Sequence, residues 1–277
     1  FTKKLVFAAK FGESASSGHY RTSVLLSLAA TPKEMSWDGI TTMQQLTPTL
    51  CRQAAVGTTG TLLDSRDNKS YKVTKLPDQN CWMVENLRLG SASSSTTLTP
   101  SNSNVNTSWT APAVQNTNST TWSGDVLARE TNNGNLYSWC YATAESCNDL
   151  IRNSTDLQTA TASICPKKWT LPTNTHYTNL ISNIGKTGAA LSTALRSAPY
   201  NFIYTGYVSA GQTQQGTTNG YYWTSVASQT YGVEKRAIDL DDFSYHLSLS
   251  SSYVNVLSSY PLTWRGGGAI RCIVANS

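Results

Sequence analysis

Six cysteines, three histidines and a short run of carboxylates are the residues of this chain whose types could do chemistry. Cys51, Cys81, Cys140, Cys147, Cys165 and Cys272 are even in number and include no Cys-x-x-Cys pair. His19, His176 and His246 lie far from one another in sequence, so the ligand spacing of a zinc site is missing and no metal is expected. Disulfides explain the cysteines better than six buried thiols do, and they imply an oxidising compartment. Sequence leaves the connectivity open; the expected pairing is Cys51 with Cys81, Cys140 with Cys147, and Cys165 with Cys272. The last of these would close a loop of roughly a hundred residues, contribute about 4–5 kcal/mol on chain-entropy grounds, and make the C-terminus part of the core.

Catalytic readings are weaker. A nucleophilic thiol needs access and a lowered pKa, whereas Cys272 is expected in a bridge and no second cysteine lies near it in sequence. No ordered Ser-His-acid or paired-Glu signature is visible. Asp239, Asp241 and Asp242 have the oxygen ligands a calcium ion prefers, but they read better as a solvated turn between strands, and Glu85 reads as structural. Neither an enzyme nor a cofactor is expected.

Binding is the better reading. Between residues 232 and 275, Ile238 and Leu240 share one strand face, and Tyr245, Leu247 and Leu249 alternate with His246, Ser248 and Ser250. The first set of each is expected to build core and the second to face outward. A stretch without period follows, carrying Tyr253, Tyr260, Thr263, Trp264 and Arg265 before three glycines. Exposed Tyr, Ser and Trp on a rigid frame are what paratopes use, because Tyr supplies contact area at low entropic cost and Ser adapts its hydrogen bonds. The expected ligand surface is therefore Asp242, His246, Ser248, Tyr253, Tyr260, Thr263, Trp264 and Arg265, centred on the three aromatics.

Composition agrees with such a surface protein. Over 277 residues only 13% are charged, and solubility rests on Ser, Thr and Asn. The net charge of +5 comes without a Lys/Arg run, so no nucleic-acid groove is expected. No apolar run approaches the roughly 20 residues that a bilayer span demands.

Three zones must position these residues. Residues 1–31 read as a β-hairpin around Ser17-Gly18, and 32–60 as a connector with a short helix near Ile40–Gln45 limited by Pro48. The domain proper is expected over 61–277. It opens with a three-stranded meander through Asp67-Asn68 and Pro77-Asp78-Gln79-Asn80, and continues through a long Ser/Thr/Asn-rich loop at 91–121. Thr173 is placed to cap a helix whose apolar positions are Tyr177, Leu180, Ile181 and Ile184, with Gly185 stopping it; a second helix is expected over Ala189–Arg196. Strand signals resume from Phe202, so the class is α+β with strands dominant and one or two helices.

The order of local motifs carries a family resemblance. Leu63-Asp64-Ser65-Arg66-Asp67-Asn68, Asn80-Cys81-Trp82-Met83-Val84-Glu85-Asn86-Leu87, Gly134-Asn135-Leu136-Tyr137-Ser138-Trp139, Cys165-Pro166 through Pro172-Thr173, Gly220-Tyr221-Tyr222-Trp223-Thr224-Ser225 and Arg271-Cys272-Ile273 resemble the Fibrobacter succinogenes major paralogous domain across residues 61–275. The resemblance implies a C-type lectin-like fold of the formylglycine-generating-enzyme variety in a secreted or cell-surface bacterial protein, and the opening hairpin resembles the end of an immunoglobulin-like module. It also implies a target of a diversity-generating retroelement, with a variable region near 222–268 displayed to a protein or glycan on another cell or surface. The alternative reading is a fixed-specificity structural or adhesive module of the envelope. Related formylglycine-generating enzymes use reactive cysteines near the C-terminus, so an enzyme of that kind would need a free thiol at Cys272.

Overall fold

A computed structural model describes residues 36–90, 95–111, 126–127, 134–144, 158–209, 212–214, 218–227, 244–257 and 266–276. The chain divides into two compact units, Phe1–Pro32 and Lys33–Ser277. The first unit, with the hairpin expected over 1–31, lies outside the described residues.

The stretch expected as a connector is built into the second unit: Trp37, Met43, Leu46, Cys51 and Ala54 are buried in its core. The expected helix near Ile40–Gln45 is a single 3-10 turn, Met43–Gln45. Pro48 starts a helix instead of limiting one, as the first residue of α1 (Pro48–Gln53), because proline's missing N–H is one a first turn leaves unbonded anyway. The Thr47 hydroxyl caps it by accepting from the Leu50 amide, and the buried Lys75 ammonium closes its other end on the carbonyls of Arg52 and Ala54.

The meander is present as β1 (Thr59–Asp64), β2 (Lys69–Lys75) and β3 (Cys81–Met83), all antiparallel. Asp64 and Arg66, at its first turn, form a buried ion pair, Nη2 to Oδ2 2.6 Å. Arg66 also donates to the Ile164 carbonyl, and Gln44 to Asp64, so three distant segments meet there. Burial pushes the Asp64 carboxyl up, but Arg66 and Gln44 hold it below the usual carboxylate value. Part of the loop expected over 91–121 is a strand pair, β4 (Thr96–Leu98) with β5 (Trp109–Ala111); Leu98 and Ala111 supply its buried side.

Short strands β6 (Val126–Leu127) and β7 (Leu136–Tyr137) pair next, and α2 (Trp139–Ala142) follows. After β8 (Gln158–Thr159) come the two expected helices, α3 (Asn174–Ile184) and α4 (Gly188–Arg196). Thr173 is the N-cap of α3, and Gly185 ends it at φ 64°, the left-handed conformation that glycine adopts without a Cβ penalty. The remaining strands are β9 (Tyr207–Ser209), β10 (Gln212–Gln214), β11 (Asn219–Ala227), β12 (Ser244–Ser250), β13 (Val254–Leu257) and β14 (Ile273–Val274).

Two four-stranded antiparallel sheets, ordered β1-β2-β3-β14 and β13-β12-β11-β8, organise the unit. It is α+β, with strands dominant and four α-helices among the described residues. Strand alternation divides each sheet between two apolar layers: Cys81, Met83, Tyr221, Trp223 and Val274 enter one, and Trp82, Tyr222, Leu247, Leu249 and Ile273 enter the other beneath α3 and α4. The terminal segment joins the sheets. Ala269 bonds to Tyr221 and Trp223 of β11, and a few residues later Ile273 pairs with Trp82 of β3. Two disulfides lock this arrangement, Cys51–Cys81 and Cys165–Cys272, both as expected. Cys140 is also disulfide-bonded, while Cys147 lies outside the described residues.

Candidate functional site

The expected ligand surface divides into three parts, beginning with strand β12. Trp223 pairs with His246, Tyr222 with Leu247, and Tyr221 with Ser248. Leu247 and Leu249 enter the layer under α3 and α4, as expected. His246, Ser248 and Ser250 were expected to face solvent, and here the structure corrects the reading: all three are buried. The cause is the position of β12 between β11 and β13, with a second apolar layer on the supposedly outer face. Alternation of polar and apolar residues identifies two faces but not a wet one, and small hydroxyls beside large aromatics fill a close-packed interior well.

That second face is an aromatic assembly. The Trp223 indole donates to the Tyr137 carbonyl at 2.6 Å, and the Trp139 indole to the Thr224 carbonyl at 2.8 Å. Tyr207 meets Tyr221 edge to face with ring centres 5.0 Å apart, and the His246 ring lies 5.6 Å from Tyr221. These rings fix β11 against α2 and β7. The side chains of His246 and Ser248 both lie in the interior.

Tyr253 stands apart from both. It is 39% exposed, one of two large hydrophobic residues exposed among the described ones. It sits in the turn between β12 and β13, where the Ser250 hydroxyl accepts from the amides of Ser252 and Tyr253 and the Ser192 hydroxyl of α4 donates to the Ser250 carbonyl. The turn is thus held to the helix layer, with Ser251, Ser252 and Tyr253 outward.

Asp242, Tyr260, Thr263, Trp264 and Arg265 lie outside the described residues, as do Asp239, Asp241, Ile238 and Leu240. Ala227 pairs with both Ser244 and Gln158, and Leu257 pairs with His246, so the two residues that flank 228–243 lie together at one end of the sheet and Leu257 lies near them. Tyr253 is at the opposite end, six residues of β12 or about 20 Å away. Residues 258–265 connect Leu257, on the edge strand, to Gly266, whose neighbours Gly267 and Ala269 pair with Val208 and Tyr222 on the far side of β11. Leu257 and Ala269 thus lie on opposite sides of β12 and β11, about 14 Å apart at ordinary strand spacing.

A buried cation holds the frame beneath. Arg271 donates from Nε to the Asn86 side chain at 2.8 Å and from its two terminal nitrogens to the carbonyls of Tyr200 and Asn201. Its guanidinium lies 4.1 Å from the Phe202 ring centre, and burial pushes its pKa down. The sequence placed Arg271 in the terminal motif but gave no sign that it would be buried: an arginine beside a cysteine looks the same on either face of a strand. Glu85 accepts from the Lys72 amide at 2.6 Å. No group of three metal-ligating side chains occurs among the described residues. Cys272, where a thiol-dependent enzyme would need a free sulfur, is bonded to Cys165.

No family model, curated protein or solved structure matches the chain. Among the described residues, no helix is long and apolar enough to cross a membrane.

Proposed function

We propose that this chain is an extracytoplasmic recognition protein of the Fibrobacter succinogenes major paralogous domain family, with a C-type lectin-like frame that presents its C-terminal segments to a protein or glycan on another cell or surface. Its function is complementarity, not catalysis. The observation that supports this reading is the anchoring of the residues that flank 228–243 and 258–265: Ala227 is a buried end of β11, Leu257 is paired with His246 of the buried strand β12, and from Gly266 the chain enters a segment bonded to β11, β3 and Cys165. Binding residues concentrate on segments that a rigid scaffold positions, because sequence there changes without cost to the core.

The ligand set narrows accordingly to Asp242, Tyr260, Thr263, Trp264 and Arg265. His246 and Ser248 are interior, and Tyr253 belongs to the other end of the sheet. A protein ligand of standard size would cover about 800 Å² on each partner. Diversification by a retroelement would act on the same two segments and spare β12.

The test is capture of intact bacterial cells and of arrayed glycans by the purified chain, compared with a Tyr260→Ala/Trp264→Ala/Arg265→Ala variant. Loss of capture by about tenfold or more at unchanged thermal stability is expected, since hot-spot truncations of this kind cost about 2 kcal/mol or more each. Undiminished capture by the variant would remove these residues from the binding surface.

A further inference from the structure

Helix α3 begins with an unusual capping box. The Thr173 hydroxyl accepts from the His176 amide, and in the reciprocal position, where Glu or Gln ordinarily sits, the imidazole Nδ1 of His176 accepts from the Thr173 amide at 2.9 Å. The Thr173 hydroxyl lies 3.0 Å from the same nitrogen. A ring nitrogen can accept only while it carries no proton. We propose that the start of α3 is a proton-sensitive latch, closed while His176 is neutral and released when it is protonated.

Two effects act in the same direction on protonation. The Nδ1 lone pair is lost and an N–H is turned toward another N–H, and a positive charge is placed in the first turn of a helix, where the backbone dipole disfavours it. The surroundings offer the cation no compensation. The elements packed on α3 include α4, β11, β12 and β13, and Trp82 of β3, a strand without a carboxylate, rests on Tyr177. Their titratable or charged residues are Arg196 of α4, Tyr221 and Tyr222 of β11, and Tyr245 and His246 of β12; β13 has none, and α3 itself adds Tyr177. Not one is a carboxylate. Arg196 lies over Tyr204, burial pushes Tyr177 and Tyr222 upward so that both stay neutral, and Tyr221 and His246 belong to the other apolar face. Burial correspondingly pushes the His176 pKa below its ordinary value.

The latch bears on the sheet. Pro172, just before the cap, accepts from the amide of Ser225 on β11 at 2.8 Å, two residues from Ala227, where 228–243 departs. Tyr177, one residue after His176, packs on Trp82 with ring centres 5.4 Å apart. Opening the first turn of α3 therefore loosens β11 at the same end of the sheet. With the folded pKa lowered, the unfolded chain takes the proton first. The stabilisation is complete above the ordinary histidine value of 6.5 and is lost as pH falls below it toward the folded pKa.

The experiment compares wild type with His176→Gln, which keeps the acceptor and cannot titrate, by thermal denaturation from pH 7.5 to 4.5. The imidazole of His176 is followed by NMR in parallel. We expect the wild-type Tm to fall relative to the variant by about 2–4 °C as pH drops through the histidine range, the size of one lost cap in a domain this large. Acid effects of His246 and of the carboxylates are common to both proteins and cancel in the difference. A Tm difference that stays flat with pH, or a His176 resonance titrating at or above the ordinary histidine value, would overturn the proposal.

Discussion

His246 stands opposite Trp223 across the β11–β12 pair, its ring 6.3 Å from the indole and almost perpendicular to it, with no solvent exposure. A histidine that sequence places on an outer strand face is thus part of the interior. His246→Ala is expected to destabilise by about 2–3 kcal/mol, as truncation of a buried ring does, and denaturant unfolding measures it. A change within about 0.5 kcal/mol, the range of surface substitutions, would return the residue to the surface.

Tyr253 behaves in the opposite way. Its ring is exposed while its turn is fixed through Ser250 and Ser192, so Tyr253→Ala should alter stability by no more than about 0.5 kcal/mol. Ser250→Ala should cost more, about 1 kcal/mol, because two amides lose their acceptor. Thermal denaturation of the two variants side by side checks the order.

Much of the frame was legible in sequence because local chemistry decides it. Thr173, the apolar spacing through Ile184, and Gly185 define α3 by rules that act within one turn. Asp67-Asn68 and the Pro77–Asn80 turn define the meander in the same way. What was not legible depends on the third dimension. Pro48 looks like a terminator until Thr47 is seen capping ahead of it. His246, Ser248 and Ser250 look wet until Trp223 and Tyr221 are seen beside them. Arg271 looks like a surface cation until its partners, Asn86 and the 200–201 carbonyls, arrive from positions far away in sequence.

Arg271 allows a sharp test. Its three hydrogen-bonded groups and the Phe202 face suit a planar guanidinium, and lysine cannot reproduce that geometry. Arg271→Lys should therefore be nearly as damaging as Arg271→Met, each losing about 3 kcal/mol or more. Equal stability of wild type and the lysine variant in urea would show that only the charge counts.

The two disulfides should differ in strength. Cys165–Cys272 spans 107 residues and Cys51–Cys81 spans 30. The chain-entropy relation gives about 4.8 and about 3.6 kcal/mol respectively, so replacing the longer bridge by paired alanines should cost roughly 1 kcal/mol more than replacing the shorter. Equilibrium unfolding of the two double variants measures the gap.

Lys168 adopts φ 72°, where a side chain is strained, and its ammonium donates to the Gln44 carbonyl at 3.3 Å. Lys168→Gly should raise stability by up to about 1 kcal/mol, visible as a Tm increase; a decrease would mean that the lysine contact outweighs the backbone strain.

The proposed function places recognition in 228–243 and 258–265 and makes β12 and the terminal motif frame. Deep sequencing of the gene's 3′ segment across one natural population tests that division most directly. Adenine-directed changes clustered in those two segments are predicted, with His246, Ser248 and Ile270-Arg271-Cys272 unchanged. A uniform segment, or changes that fall as often on the buried positions of β12, would contradict it and leave a fixed module of the envelope.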